Sequence, residues 1–273
     1  MGIDSTAAGQ TASEPADDVT LTDATLGDAA LAARLATEAG TRLLEIRAEL
    51  GFEDGPALRA AGDAGSQKLL AAALGHHRPA DAVLSEEAVD DRARLAADRV
   101  WIIDPLDGTR EFAEDGRSDW AVHVALWEGG ALTVGAVALP ALGATLSTAT
   151  ITPPAQAESG PPRLVASRTR APRLVTDVAE RIGGVVIPMG SAGAKAAAVI
   201  RGEADVYLHA GGQYEWDSAA PVAVALAAGL HASRIDGTPL RYNQVDPLLP
   251  DLLICRPELA EPILAAIEEF SAG

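Results

Sequence analysis

The chain has 273 residues, 48% hydrophobic and 4% aromatic, with a formal net charge of −18 and a single cysteine, Cys255. That length suits two compact lobes sharing a cleft, or one large α/β domain. The charge speaks against a Lys/Arg stripe for a nucleic-acid backbone and against an anionic membrane surface, and one cysteine excludes a disulfide framework.

Residues 1–20 are polar and acidic, without a basic n-region or an apolar h-region, and read as a disordered tail rather than a signal peptide. A first helix is predicted from about Leu26 to Leu50. Leu31, Leu35, Leu43, Ile46 and Leu50 recur at helical spacing, Thr25 and Asp28 form a capping-box pattern, and Gly51 supplies the stop. Residues 51–63 are turn-rich, and a second helix follows from about Gly65 to Leu74, ended by Gly75. "DAVLSEEA" reads as a short strand ending in two glutamates, and "RVWIIDPLDGT" as a buried strand and a turn. "DWAVHVALWEGG" and "ALTVGAVALP" read as a hairpin, with "GATLSTAT" as a further strand.

The run "TPPAQAESGPP", residues 152–162, has linker composition and divides a first lobe (21–151) from a second (163–273). In the second, strands are predicted at "RLVASRT", "GVVIPMG" and "DVYLHAG". They alternate with helices at "RAPRLVTDVAERIG", "SAGAKAAAVIRGEA" and "WDSAAPVAVALAAGL", and "PELAEPILAAIEEF" forms a last helix. The alternation argues for an α/β or mixed layered fold. No apolar stretch is long enough to cross a bilayer, so a cytoplasmic protein is the default.

The chemistry concentrates in Val100 to Phe112. Asp104 stands at the carboxyl end of a buried strand, where clefts form in α/β folds. Pro105 bends the chain, so the carboxylates of Asp104 and Asp107 can face one point with the Leu106 carbonyl between them. These are hard oxygen donors suited to Mg²⁺, and a cation there would reverse the local sign for an anionic substrate. Gly108 permits close backbone approach, and a helix starting near Thr109 would aim N–H groups at an anion. Taken alone, Asp-Pro and Asp-Gly are ordinary turn dipeptides. Glu86 and Glu87 alone are a solvated strand end, Asp63 and Asp217 are N-caps, and Thr109 is a capping hydroxyl.

Together these residues resemble a known pattern. "WIIDPLDGT" is similar to the metal-binding signature of the inositol monophosphatase superfamily. "LSEEA" resembles its glutamate motif, "EWDSAAP" its C-terminal signature, and Asp63 in "AAGD" the aspartate after its first helix. The resemblance runs in the expected order from about residue 25 to the C-terminus. It implies a five-layered α/β/α/β/α sandwich and a Mg²⁺-dependent, lithium-sensitive phosphatase. One Mg²⁺ would sit on Glu86, Asp104 and the Leu106 carbonyl, and a second on Asp104, Asp107 and Asp217. A third, weaker ion would lie near Glu86. Asp63 hydrogen-bonded to Thr109 would activate water, and Gly108 and Thr109 would hold the phosphate. A possible homodimer is carried over from the family's tendency to dimerise.

Three features resemble the CysQ branch, the 3′(2′),5′-bisphosphate nucleotidases: "DGTREF" with Arg110, "VASRTR" with Ser167 and Arg168, and the Gly-Ser…Lys helix with Ser191 and Lys195. The implied substrate is a small phosphate ester, 3′-phosphoadenosine 5′-phosphate, with 3′-phosphoadenylyl sulfate beside it, in sulfate assimilation. The alternatives are an inositol monophosphatase, a fructose 1,6-bisphosphatase, or a non-catalytic anion or metal sensor. The chain departs from the branch at "GPALRAAGD", which lacks the usual lysine and threonine; Arg59 is the nearby cation. Lys195 read without the family is a solvated surface lysine as readily as a phosphate contact. His123 reads as a core histidine, His209 as bordering the site, and Arg241 and Tyr242 as candidates for a nucleotide pocket.

Overall fold

The computed structural model describes residues 26–155, 160–169 and 171–271. The expected tail and part of the expected linker lie outside these residues. Among the described residues are two five-stranded sheets and seven helices, the third of them the short α3 (Thr109–Phe112).

Helix α1 (Asp28–Leu50) ends as expected at Gly51, whose φ of 65° is readily adopted by glycine. Of the expected capping box only Asp28 is described, and no side chain caps the helix start. Gly27 is the N-cap, and Asp28 accepts instead from Arg78 (2.7 Å) and Arg99 (2.9 Å); Thr25 lies outside the described residues. Helix α2 (Gly55–His77) corrects the turn-rich reading of 51–63 and runs through Gly75. Asp54 caps it by accepting from Ala57 N–H, and Pro56 occupies its first turn, so residues read as a turn form a helix start. Its glycines mark close packing: a Cβ on Gly62 would lie 2.7 Å from Phe112, and one on Gly65 2.5 Å from Ile46.

The first sheet runs β1 (Ala82–Ser85), β2 (Arg99–Asp107), β3 (Ala121–Glu128), β4 (Ala131–Leu139), β5 (Ala144–Ser147) in that spatial order. Only β1 and β2 pair in parallel. Side chains alternate across it. Trp101, Ile103, Val122, Val124 and Leu126 pack with α1 and α2, while Val100, Ile102, Ala121 and Ala125 face the interior between the sheets.

The second sheet has the order β7-β6-β8-β10-β9, built from β6 (Arg163–Ser167), β7 (Val185–Met189), β8 (Val206–Tyr214), β9 (His231–Ser233) and β10 (Leu248–Cys255). Strands β9 and β10 were not expected. Pro250 breaks the apparent run, but it sits at a register shift between Leu249 and Asp251, where a missing N–H is tolerated. Helices α5 (Ala192–Ile200) and α6 (Glu215–Ala227) lie between the sheets. Helices α4 (Arg173–Arg181) and α7 (Pro257–Ser271) cover the outer face of the second sheet. The layers are therefore α/β/α/β/α. Alanine dominates the central pair because the sheets leave little room: a Cβ on Gly135 would meet the Ala220 carbonyl and Ala223 at 2.7 Å.

Candidate metal centre and substrate cavity

Asp104 continues the interior-facing set of Val100 and Ile102 and is fully buried. The β2–β3 register shifts between Asp104 and Asp107, so Pro105 and Leu106 form a bulge. Leu106 N–H donates to Asp104 Oδ1 (3.0 Å), and Ser66 of α2 donates to the Pro105 carbonyl (2.6 Å). Asp104 Oδ2 is buried and has no hydrogen-bond partner. One oxygen each from Asp104, Asp107 and Asp217 lie within 4.8 Å of one another. Glu86 follows β1, with its N–H on the Ile103 carbonyl (3.4 Å), and stands at the exposed rim of the group. Three clustered carboxylates, one with a buried oxygen that makes no hydrogen bond and lies 3.9 Å from His123 Nδ1, fit a hard divalent cation.

The charges interact strongly. Burial raises Asp104 well above the usual carboxylate range, with Glu86, Asp107 and Asp217 adding to it. Burial and Asp107 raise Asp217 to about 6, and partial desolvation by the cleft walls, with Asp217, raises Glu86 to about 7 although solvent reaches it. Asp107 is the exception. Burial opposes its charge, but His123, Ser191 and the Gly193 N–H hold it down at about 2. Its carboxylate sits on the start of α5 and accepts from the Ser191 hydroxyl and from Ala192 and Gly193 N–H.

His123 is the functional neighbour the sequence did not reveal. It pairs across the sheet with Asp104, is fully buried, and lies with Nε2 3.3 Å from Asp107 Oδ2. Nδ1 donates to the carbonyl of Trp216, the residue before Asp217 (2.9 Å). Alternation in "DWAVHVALW" put this ring on the inner face; only the strand register showed which acid it meets.

Several expected contacts differ. The Thr109 hydroxyl donates to the Leu106 carbonyl (3.3 Å), not to Asp63, because that carbonyl lies one turn back on its own chain. Asp63 sits on α2, facing Glu87 and Arg59, and burial raises it to about 6. Lys195 is 6% exposed, not solvated. Its Nζ donates to the Gly190 (3.2 Å) and Ser191 carbonyls and lies 5.3 Å over the Tyr207 ring. Tyr242 is a core residue bonded to Ser218 (3.1 Å), so it does not line a pocket at this site. His209 donates within its own turn to the Gly212 carbonyl (2.9 Å).

A cavity of about 280 Å³ gathers Gly108, Thr109, Arg110, Ser167, Ser191 and Lys195. Gly108 follows β2, Thr109 and Arg110 open α3, Ser167 ends β6, Ser191 caps α5 and Lys195 lies within it. Arg168 also lines it and is held by Glu111 (2.8 Å) and Glu114. Gly108, at φ 86°, and Ser191 close one wall, where a Cβ on Gly108 would fall 2.9 Å from Ser191 Cβ. A larger groove of about 910 Å³ lies against α7, in the outer helical layer.

The family model for the inositol monophosphatase family matches residues 19–272. A 3′-phosphoadenosine 5′-phosphate phosphatase of Mycobacterium leprae (strain TN) is 54% identical over 258 residues, 90% of this chain and 95% of the relative. The 3′(2′),5′-bisphosphate nucleotidase CysQ of Escherichia coli (strain K12) is 31% identical over 172 residues, 59% of this chain and 70% of that protein. Among solved structures, CysQ from Bacteroides thetaiotaomicron superposes with a TM-score of 0.71 at 27% identity, covering 84% of this chain and 97% of that one. Among the described residues, no helix is long and apolar enough to cross a membrane.

Proposed function

This chain belongs to the inositol monophosphatase family, and from that premise we propose that it is a Mg²⁺-dependent phosphatase. Its reaction is removal of the 3′-phosphate of 3′-phosphoadenosine 5′-phosphate, leaving AMP and inorganic phosphate. The observation that carries the reading is the cluster of Asp104, Asp107 and Asp217, with a buried Asp104 oxygen that makes no hydrogen bond, beside a cavity lined by Arg110 and Lys195. A group of mutually repelling acids next to cationic side chains suits a cation and an anion bound side by side. The identity to the mycobacterial phosphatase supports the nucleotide as the substrate.

In this reading, Glu86, Asp104 and the Leu106 carbonyl would hold one Mg²⁺. Asp104, Asp107 and Asp217 would hold a second, and Glu86 would offer a weaker third position. When bound, the ions polarise the phosphate and acidify a water. Asp63, raised to about 6 by burial, could act as a base toward a nucleophilic water near neutral pH. Gly108 and Thr109 orient the phosphate through their backbone N–H groups. His123 keeps Asp107 ionised and fixes the peptide next to Asp217. Arg110, Ser167 and Ser191 contact the rest of the nucleotide, and Lys195 contributes charge from the cavity wall while bracing the start of α5.

A second reading, broader action on sugar and inositol phosphates, is favoured by one observation. Arg168 is neutralised by Glu111 and Glu114, which weakens the site for a second phosphate. A phosphate-release panel separates the two. With Mg²⁺, 3′-phosphoadenosine 5′-phosphate is expected to exceed inositol 1-phosphate and fructose 1,6-bisphosphate by about 100-fold or more in kcat/KM, with no release in EDTA. A wide preference for inositol 1-phosphate would overturn the substrate assignment, and full turnover in EDTA would overturn the metal.

A further inference from the structure

Glu86 and Asp217 reach the metal centre from different layers. Glu86 follows β1 of the first sheet, and Asp217 lies in the first turn of α6. Two carboxylates brought together from separate elements repel when ionised, so the elements that carry them need a tie. Residues 86–89 are exposed and are tied down by few contacts of their own.

A buried network outside the metal centre spans this gap. Arg94, 1% exposed, forks the Asp90 carboxylate through Nε (2.6 Å) and Nη2 (3.0 Å), fastening the far end of the Glu86 loop. The same guanidinium donates through Nη1 to Asn243 Oδ1 (2.7 Å) and through Nη2 to the Gln244 carbonyl (2.9 Å). Asn243 returns a bond from Nδ2 to the Arg94 carbonyl (3.3 Å). The backbone N–H groups of Asn243 (2.6 Å) and Gln244 (2.8 Å) then donate to the two oxygens of Glu215, which is 1% exposed and precedes Asp217 by two residues. Asn243 holds a φ of 58° to make this turn, a conformation asparagine tolerates better than most residues.

We propose that Arg94 is a positioning residue: its guanidinium latches the Glu86 loop to the α6 start that carries Asp217, and so sets the spacing of the acids before any cation binds. The inference rests on the Mg²⁺ reading above. A buried ion network is a weak source of net stability but can fix one arrangement. Here its two ends lie within four residues of one acid and two of the other. Arginine suits the role because its planar fork makes the Asp90, Asn243 and Gln244 contacts at once, which a lysine cannot. None of the latch residues lines the substrate cavity.

The test uses the full chain with Asn243→Gly, which keeps the positive φ and deletes both side-chain bonds to Arg94, and Arg94→Met, which removes the fork. Two quantities are read: the Mg²⁺ concentration at half-maximal rise in melting temperature, and the Mg²⁺ activation constant against kcat at saturating Mg²⁺. Both variants are expected to raise the two Mg²⁺ midpoints about tenfold, the lower end for outer contacts of metal ligands. Saturating Mg²⁺ should restore kcat to within about twofold, and the double variant should be no worse than Arg94→Met alone, since both cut one network. Folded variants with wild-type Mg²⁺ midpoints, or with a kcat loss that Mg²⁺ does not restore, would overturn the latch. If Arg94→Met does not fold, Asn243→Gly decides alone. A wild-type chain whose melting temperature ignores Mg²⁺ would instead remove the metal reading and the latch with it.

Discussion

Asp104 and Asp107 are separated by two residues and occupy opposite electrostatic states. Asp104 has one oxygen on the Leu106 N–H and the other without a hydrogen bond, 3.9 Å from His123 Nδ1, so burial favours its protonated form. Asp107 is buried almost as deeply yet ionised, because His123 Nε2 lies 3.3 Å away and the start of α5 turns donors onto it. Neighbouring carboxylates pushed apart in this way take different tasks. Asp107→Asn keeps the volume but turns an amide toward N–H groups that need an acceptor. It is expected to lower phosphate release by about 1,000-fold or more and to cost about 1–3 kcal/mol in urea unfolding. Near-normal turnover would contradict the ligand assignment. The two aspartates were legible because an apolar run leads straight into them. His123 was not, because its meaning depends on a cross-strand partner that one strand's sequence does not name.

At the scale of elements, the site depends on how closely α5 seats on the first sheet. Gly190 and Gly193 flank the helix start. A Cβ on Gly193 would lie 2.0 Å from His123 Nε2, and one on Gly190 2.3 Å from Glu111. Gly193→Ala must therefore shift the helix or the histidine. Its expected cost is about 1–3 kcal/mol, with a loss of activity, whereas Gly75→Ala, in open space within α2, should stabilise by up to about 1 kcal/mol. Urea melts of the two variants check the contrast, and equal effects would show that α5 has slack. Elements with one clear period, such as α1 and the β3–β4 hairpin, were readable. The start of α2 was not, because Asp54, Gly55 and Pro56 serve a turn and a helix N-terminus equally well. Strand β10 was hidden by Pro250, whose harmlessness depends on a bulge that only pairing reveals.

The whole molecule carries a net charge of −18 and is proposed to take an anionic substrate, so the sign at the site decides whether it works. Glu86 at about 7 and Asp217 at about 6 lie above their unfolded values near 4. The folded, metal-free chain therefore holds more protons than the unfolded chain between about pH 4 and pH 7, and its stability falls as pH rises through that window. A divalent cation competes with those protons, so its affinity must climb over the same range. Strongly acidic composition and the convergent motifs were visible in the sequence. The proton load was not, because it follows from burial and from distances between residues far apart in the chain. The most direct test is a calorimetric Mg²⁺ titration of the full chain at about pH 5.5 and about pH 7.5, beside Asp104→Asn. The wild type should bind at least about tenfold more tightly at the higher pH and release protons as it does so, and Asp104→Asn should abolish the heat. Absence of binding at the higher pH, or pH-independent binding that survives the substitution, would contradict the account.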